Sequence, residues 1–297
     1  MQFLPVQYIE PLFRPPSEAN SFILQITNGC SWNNCTFCEM YTAPQKKFRP
    51  RKDQEILRDI QSVASTWPDC RRVFLADGDA MALSFRRLEQ TLLVLNQHLP
   101  SLQRVSSYCL PRNLKNKTIN ELQRLRELKL DLLYVGAESG DDLVLDRVQK
   151  GETQLSTIEA LKKIKASGLR SSVMILNGLG GQKYLEQHEL NSAKLVNEAQ
   201  PDYLATLVVS FPKGDERLRA SYPEFSLPGQ AELFQEVKLF LQATELNKTI
   251  FRSDHASNYL VLKGVLNRDK DKMLAMVEQA ITRPDSVQLR QEWQRGL

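Results

Sequence analysis

The chain has 297 residues, 42% of them hydrophobic and 25% charged. That composition is close to the average for a soluble globular protein, so a large buried core is expected and disorder is excluded as the default. Against 39 Lys and Arg stand 35 Asp and Glu, a net charge of +4, too thin a surplus to indicate nucleic acid. No apolar run approaches the ~20 residues of a membrane span, and the first residues lack the basic-then-apolar order of a signal peptide. Five cysteines are an odd number for a disulfide framework. A cytoplasmic protein with no membrane partner is expected.

Short β-branched or aromatic runs alternate with stretches of helical period. Strands are expected from Phe22 (FILQIT), Val73 (VFLA), Val105 (VSSY), Leu132 (LLYVGA), Ser171 (SSVMIL) and Tyr203 (YLATLVV). Between them, Ile56, Leu57, Ile60 and Val63 share a helical face, as do Leu88, Leu92 and Leu95. Thr118 and Glu121 form a capping box before Leu122 and Leu125. Ile158, Leu161 and Ile164 recur at helical spacing, and Gly168 is placed to end their helix. Six strand-then-helix repeats predict an α/β fold with parallel strands, a partial (β/α)6 TIM-like barrel or an open sheet. In either, ligands gather beyond the carboxyl ends of the strands. The rhythm breaks after residue 210, where a Pro/Gly-containing stretch precedes a helix from about Gln230, a short strand near Ile250 and a helix from about Asp269. The expected organisation is a lead-in over 1–21, a core over 22–210 and a C-terminal α/β extension over 211–297, packed on or covering the core.

Cys30, Cys35 and Cys38 follow the first strand in NGCSWNNCTFCEMY, a Cys-x4-Cys-x2-Cys spacing. Three thiolates within nine residues on a polar loop make a soft-metal site; unrelated core cysteines are the bland alternative. Structural zinc wants four closed ligands. His98, His188 and His255 are remote in sequence, so Cys70 or Cys109 would have to serve. The plant-type ferredoxin pattern shares the local spacing and also needs a distant fourth Cys, for which Cys70 is the candidate. The remaining reading is a 4Fe-4S cluster on three cysteines, with one iron open to a small chelating ligand.

With that loop the chain resembles the radical S-adenosylmethionine (radical SAM) superfamily. Phe37 before the third Cys and the loop's place after strand one also match, although the family's usual spacing is Cys-x3-Cys-x2-Cys. After strand two, Leu75-Ala76-Asp77-Gly78-Asp79-Ala80 stands where the family carries a Gly-Gly-Glu-type turn that receives the methionine ammonium of SAM. The resemblance retains Gly78, gives the acidic role to Asp79 and sets Asp77 in place of a glycine. After strand four, Gly136-Ala137-Glu138-Ser139-Gly140, running on to Lys150-Gly151, resembles the Gly-x-Glu-Ser-Gly segment of the branch with coproporphyrinogen dehydrogenase, methylthiotransferase and Elongator-type enzymes. It implies that Glu138 meets the ribose hydroxyls, and that Lys150, in place of the usual Arg, pairs with the SAM carboxylate as a point charge without a bidentate fork. Leu176, before Asn177, is the implied apolar contact of the adenine.

The resemblance implies an enzyme with a 4Fe-4S cluster and SAM as cofactors. Reductive cleavage of SAM would give a 5′-deoxyadenosyl radical that abstracts hydrogen from a small-molecule or otherwise unknown substrate. It also implies a low-potential electron donor, flavodoxin- or ferredoxin-like. An iron-sulfur electron-transfer or binding protein that does not cleave SAM is the alternative. On the substrate side, Cys109 ends strand three as a candidate hydrogen donor or a core residue, and Arg252 and His255 are candidates to bind an anionic substrate. Arg49, Arg51 and Lys52 read as a solvated helix start in preference to a donor-docking patch.

Overall fold

Each apolar run marked above is a strand in the computed structural model, which describes residues 6–295. The first five residues, on which the reading of the leader partly rests, lie outside them. The strands make up an eight-stranded, mostly parallel α/β sheet and a two-stranded ribbon. The chain divides into two compact units. The first spans residues to Asn33, Cys38–Val135 and Lys163–Ser171; the second holds Asn34–Phe37, Gly136–Lys162 and the residues from Ser172 on.

In the first unit β1 (Phe22–Gln25), β4 (Arg72–Ala76), β5 (Arg104–Tyr108) and the start of β6 (Leu130–Glu138) lie side by side and parallel. Leu24, Val73, Phe74, Leu75, Val105 and Leu133 are all fully buried, as expected of strands covered on both faces. The FILQIT run does not stay one strand. At Ile26 the chain leaves β4, and β2 (Thr27–Asn28) pairs antiparallel with β3 (Arg49–Pro50).

Three amphipathic helices cover this unit. α1 (Asp53–Thr66) buries Ile56, Ile60 and Val63; α2 (Phe85–His98) buries Leu88, Leu92 and Leu95; α3 (Ile119–Glu127) buries Leu122 and Leu125. Each buried side chain contributes about 1.5–3 kcal/mol over exposure. The capping box forms: the Glu121 amide donates to Thr118 Oγ1 at 3.2 Å, and the Thr118 amide to Glu121 Oε2 at 2.7 Å. Gly168, at φ +75°, follows the last turn of α5 (Gln154–Ala166), where the Leu169 amide closes on the Ile164 carbonyl at 3.2 Å.

In the second unit β7 (Arg170–Asn177) pairs parallel with β8 (Tyr203–Val208), and β8 with β9 (Thr249–Ser253). α6 (Leu185–Ala199) packs on α8 (Gln230–Ala243), and α8 on α9 (Lys270–Thr282). Two short helices, α4 (Asp142–Arg147) and α7 (Glu216–Ser221), complete the set. The strand near Ile250 therefore carries the strand-helix-strand rhythm past residue 210 with α8 as its crossover. A further strand absent from the sequence reading, β10 (Leu262–Leu266), returns antiparallel beside β9. Its Lys263 and Gly264 hid it, because neither favours a strand. No helix among the described residues is long and apolar enough to cross a membrane.

Candidate cofactor site

Parallel pairing sets the carboxyl ends of β1, β4 and β5 at one end of the first unit, and the cysteine loop departs from there. Cys30 and Cys38 belong to this unit and Cys35 to the second. All three are half-buried, and none of the five cysteines is in a disulfide. The root of the loop is pinned from below. Gly29, at φ +71°, donates its amide to Asp77 Oδ2 at 3.2 Å, and Gln25 Nε2 reaches the same oxygen at 3.4 Å. Lys46 forms an ion pair with that carboxylate, both side chains being wholly buried, and also donates to the Ile9 carbonyl at 2.8 Å. A Cβ on Gly29 would stand 1.9 Å from the Lys46 carbonyl oxygen, so only glycine fits. Burial raises the Asp77 carboxyl above its usual range and Lys46 opposes the rise.

The Asp77-Gly78-Asp79 turn has two carboxylates with different work. Asp77 faces back toward the loop anchor. Gly78 clears the Tyr41 ring, which a Cβ would approach to 2.3 Å. Asp79 is buried; its Oδ2 accepts from Ser31 Oγ, while its Oδ1 is buried with no partner. Burial again raises this carboxyl, against Ser31 and Asn113. Lys117 donates to the Met81 carbonyl at 2.8 Å and the Asn113 carbonyl at 3.0 Å, closing the turn. The Arg112 guanidinium lies 3.9 Å over the Trp32 ring within the cysteine motif.

The second unit holds the Gly136–Lys150 segment. Asp141 caps α4 by accepting the Val144 amide at 3.0 Å. The chain then turns through Gln149 and Gly151, at φ +52° and +70°, which brings Lys150 back to Glu138. Lys150 Nζ lies 3.0 Å from Glu138 Oε1 with both side chains buried, and Glu138 Oε2 is buried without a partner. A Cβ on Gly136 would stand 2.0 Å from Glu138 Oε1. Leu176, 8% exposed, belongs to an apolar cluster with Val144, Val148, Leu179 and Tyr222, and Phe37 packs against the same cluster. Asn177 next to it is buried, with neither Oδ1 nor Nδ2 bonded. Thr36 donates its amide to the Val148 carbonyl at 3.0 Å, fixing the stretch that carries Cys35.

Other singled-out residues lie elsewhere. Cys70 precedes β4, at the opposite end of that strand from Asp77, and its buried thiol donates to the Arg72 carbonyl. The five residues of β4 at about 3.3 Å each separate it from the turn that holds Gly29. It is therefore no fourth ligand beside Cys30. Cys109 follows β5 at the motif-bearing end, buried, with its Sγ 3.4 Å from the Leu110 carbonyl. Arg252 lies on β9 and donates to its neighbour's carbonyl at 2.8 Å. The His255 ring meets Ser257 Oγ at 2.9 Å, and burial together with Arg290 lowers its pKa. In the basic run Arg49 and Lys52 are exposed, as in a solvated helix start, but Arg51 is mostly buried and committed to Asp59 at 2.6 Å ahead of α1. The sequence reading missed Lys46, Ser31, Asn113 and Lys117; Asp77, Asp79 and Met81, which Lys46, Ser31 and Lys117 meet, lie 31, 48 and 36 residues away and carry no spacing signal.

A sequence model of the radical SAM superfamily matches residues 24–190, more than half of the chain. The chain belongs to the radical SAM superfamily. Among curated proteins it is similar to the heme chaperone HemW of Bacillus subtilis, 22% identical over 167 residues, covering 54% of this chain and 43% of that one. The chain thus spans less than half the length of that relative. Among solved structures, coproporphyrinogen III oxidase (HemN) of Escherichia coli, described as a radical SAM enzyme, superposes with a TM-score of 0.54 at 16% identity, covering 75% of this chain and 52% of that one. The radical SAM methyltransferase TsrM of Kitasatospora setae, with cobalamin and a [4Fe-4S] cluster bound, gives 0.50 at 16% identity, covering 63% and 36%. At these identities the structures share the fold.

Superfamily members use a 4Fe-4S cluster and SAM, and the residues here fit both. Three thiols outside any disulfide occupy the motif loop. Buried polar atoms without partners, Asp79 Oδ1 in one unit and Glu138 Oε2 with the Asn177 amide in the other, sit on the segments assigned to SAM. Buried groups of this kind call for a ligand that supplies the missing bonds.

Proposed function

We propose that the chain is a radical SAM enzyme whose Cys30, Cys35 and Cys38 hold a 4Fe-4S cluster. The carrying observation is the three-thiol loop at the carboxyl end of the first parallel strand, in a chain that the family matches from residue 24. Bound together, the cluster and SAM supply one-electron reductive cleavage to methionine and a 5′-deoxyadenosyl radical. The chain's own residues bind and orient. Asp79 offers its unpartnered Oδ1 to the methionine ammonium, and Glu138 offers Oε2 to the ribose hydroxyls. Lys150 gives its charge to the SAM carboxylate, and Leu176, with Gly78 leaving room in the turn, packs the cofactor; Phe37 holds the third cysteine. The substrate side is assigned to Cys109, Arg252 and His255. Residues 211–297 act as an extension of the 22–210 core that bounds the substrate. The proposed setting is the cytoplasm, with a flavodoxin- or ferredoxin-like donor and a substrate not given by the relatives' names.

The test is anaerobic reconstitution, reduction and assay of 5′-deoxyadenosine after addition of SAM. Product is expected from the wild-type chain and none from Cys30→Ala, Cys35→Ala or Cys38→Ala, each of which should also lose its iron. Cys70→Ala should keep a full cluster. A fully loaded wild-type cluster that yields no 5′-deoxyadenosine would overturn the enzyme reading in favour of an electron carrier.

A further inference from the structure

Against the backbone of Leu176, whose side chain is assigned above, the second unit encloses a group with the donor set of a metal centre. His188 and Glu189 lie in the first turns of α6 and Glu236 in the middle of α8, all fully buried, with ligand atoms within 4.8 Å of one another. His188 Nε2 is 3.4 Å from Glu189 Oε1, 3.8 Å from Glu236 Oε1 and 3.1 Å from the Leu176 carbonyl oxygen. We propose that His188, Glu189, Glu236 and the Leu176 carbonyl bind one divalent cation of the first transition series, Mn²⁺, Fe²⁺ or Zn²⁺.

Four observations support this. Both oxygens of Glu189 are buried and meet no N–H or hydroxyl donor; their one hydrogen-bonding neighbour is the Glu236 carboxyl, and keeping both carboxyls ionised there costs several kcal/mol unless something positive meets them. Among the described residues, no Lys or Arg forms an ion pair with Glu189 or Glu236, so the carboxylates have no protein countercharge. The spacing fits as well: ions bound at about 2.0–2.2 Å set neighbouring ligand atoms about 3.0–3.5 Å apart, close to the distances from Nε2 given above. Finally, the imidazole has its orienting partner. Ser139 Oγ lies 2.7 Å from His188 Nδ1 and also accepts the Asp141 amide at 2.9 Å. A ligating histidine commonly donates its second N–H to such an oxygen.

The donors are one imidazole, two carboxylates and a carbonyl, with no sulfur. That set suits borderline and hard divalent ions and not Cu(I). Without a cation, Nε2–H donates to the Leu176 carbonyl and the two carboxyls must hold a proton between them. With one, Nε2 and Leu176 O become ligands and Nδ1–H turns to Ser139. The Gly178 amide, which donates to both Glu236 oxygens at 2.9 and 2.8 Å, stays in place in either state. The cation would fasten α6 and α8 to the end of β7.

This inference does not rest on the radical SAM reading, and its test keeps the two apart. The full chain carrying Cys30→Ala, Cys35→Ala and Cys38→Ala is purified without a metal-binding tag, and its Mn, Fe and Zn are counted by mass spectrometry. About one ion per chain is expected. A strong chelator should lower Tm, and MnCl2 or ZnCl2 should restore it. Adding Glu189→Gln should cut the metal content at least tenfold. In the cluster-loaded wild-type chain, metal should exceed acid-labile sulfide by about one equivalent, a reading that needs no variant to fold. No excess metal there, no uptake and an unmoved Tm would overturn the proposal and leave a proton-sharing carboxyl pair. One ion per chain retained by the Glu189→Gln chain would overturn it too.

Discussion

Glu138 meets Lys150 from a backbone position most residues avoid. Its φ of +65° costs a non-glycine residue on the order of 1 kcal/mol or more, and such strain persists where the surroundings over-determine it. Here the Lys150 contact at 3.0 Å and the Gly136 clearance hold it. Glu138→Ala and Lys150→Ala should each weaken SAM binding about tenfold or more, measured by equilibrium dialysis on the reconstituted protein, with the iron count unchanged. Unaltered affinity in both variants would sink the assignment. Glu138, Lys150 and the cysteines were marked by the resemblance because a family's motif is local in the chain: Lys150 lies 12 residues from Glu138, and the cysteines stand within one loop. His188 and Ser139, 49 residues apart, and Lys46 with Asp77, 31 apart, offer no such pattern. A lysine amid Gln45-Lys46-Lys47 reads as solvated until the fold buries it.

Among elements, the strands buried on both faces were the readable ones. Phe22, Leu24, Val73, Phe74 and Leu75 are 1% exposed or less, and a covered parallel strand must be apolar throughout. The two-residue strands β2 and β3 carry no period to detect, and they shape the root of the cysteine loop. The ribbon and the loop between its strands depend on Lys46 and Asp77. A buried pair is costly to break from one side, because the remaining charge has no water, and about 3–5 kcal/mol is the usual penalty. Lys46→Met should therefore lose about that much stability in urea and retain iron poorly after reconstitution. The double change Lys46→Met with Asp77→Asn should recover part of the stability, since no bare charge is left. A loss under about 1 kcal/mol in the single variant would show that the pair does not anchor the loop.

At the scale of the whole molecule, the issue is whether residues 211–297 are a removable cover or part of what makes the chain fold. The extension was readable as a change of rhythm at Phe211–Gly229 with a strand near Ile250, which forms as Thr249–Ser253, but Leu262–Leu266 was not, because so short a segment becomes a strand only by pairing. β9 hydrogen-bonds to β8 in parallel over Tyr203–Ala205, and α8 packs against α6. The extension buries Leu233, Phe234, Phe240, Leu241, Phe251, Leu262, Met273 and Val277, each 5% exposed or less. At about 1.5–3 kcal/mol per large apolar side chain, their joint burial of roughly 12–24 kcal/mol is at least comparable to the roughly 5–15 kcal/mol by which a folded chain is stable at all. It also covers the β8 edge, whose unpaired groups would otherwise invite aggregation. A chain ending at Ser210 should thus be insoluble, or soluble without a cooperative unfolding transition, when compared with the full chain by thermal circular dichroism. A truncated chain that unfolds cooperatively near the full chain's Tm would mean that the 22–210 core stands alone and the rest is a cover.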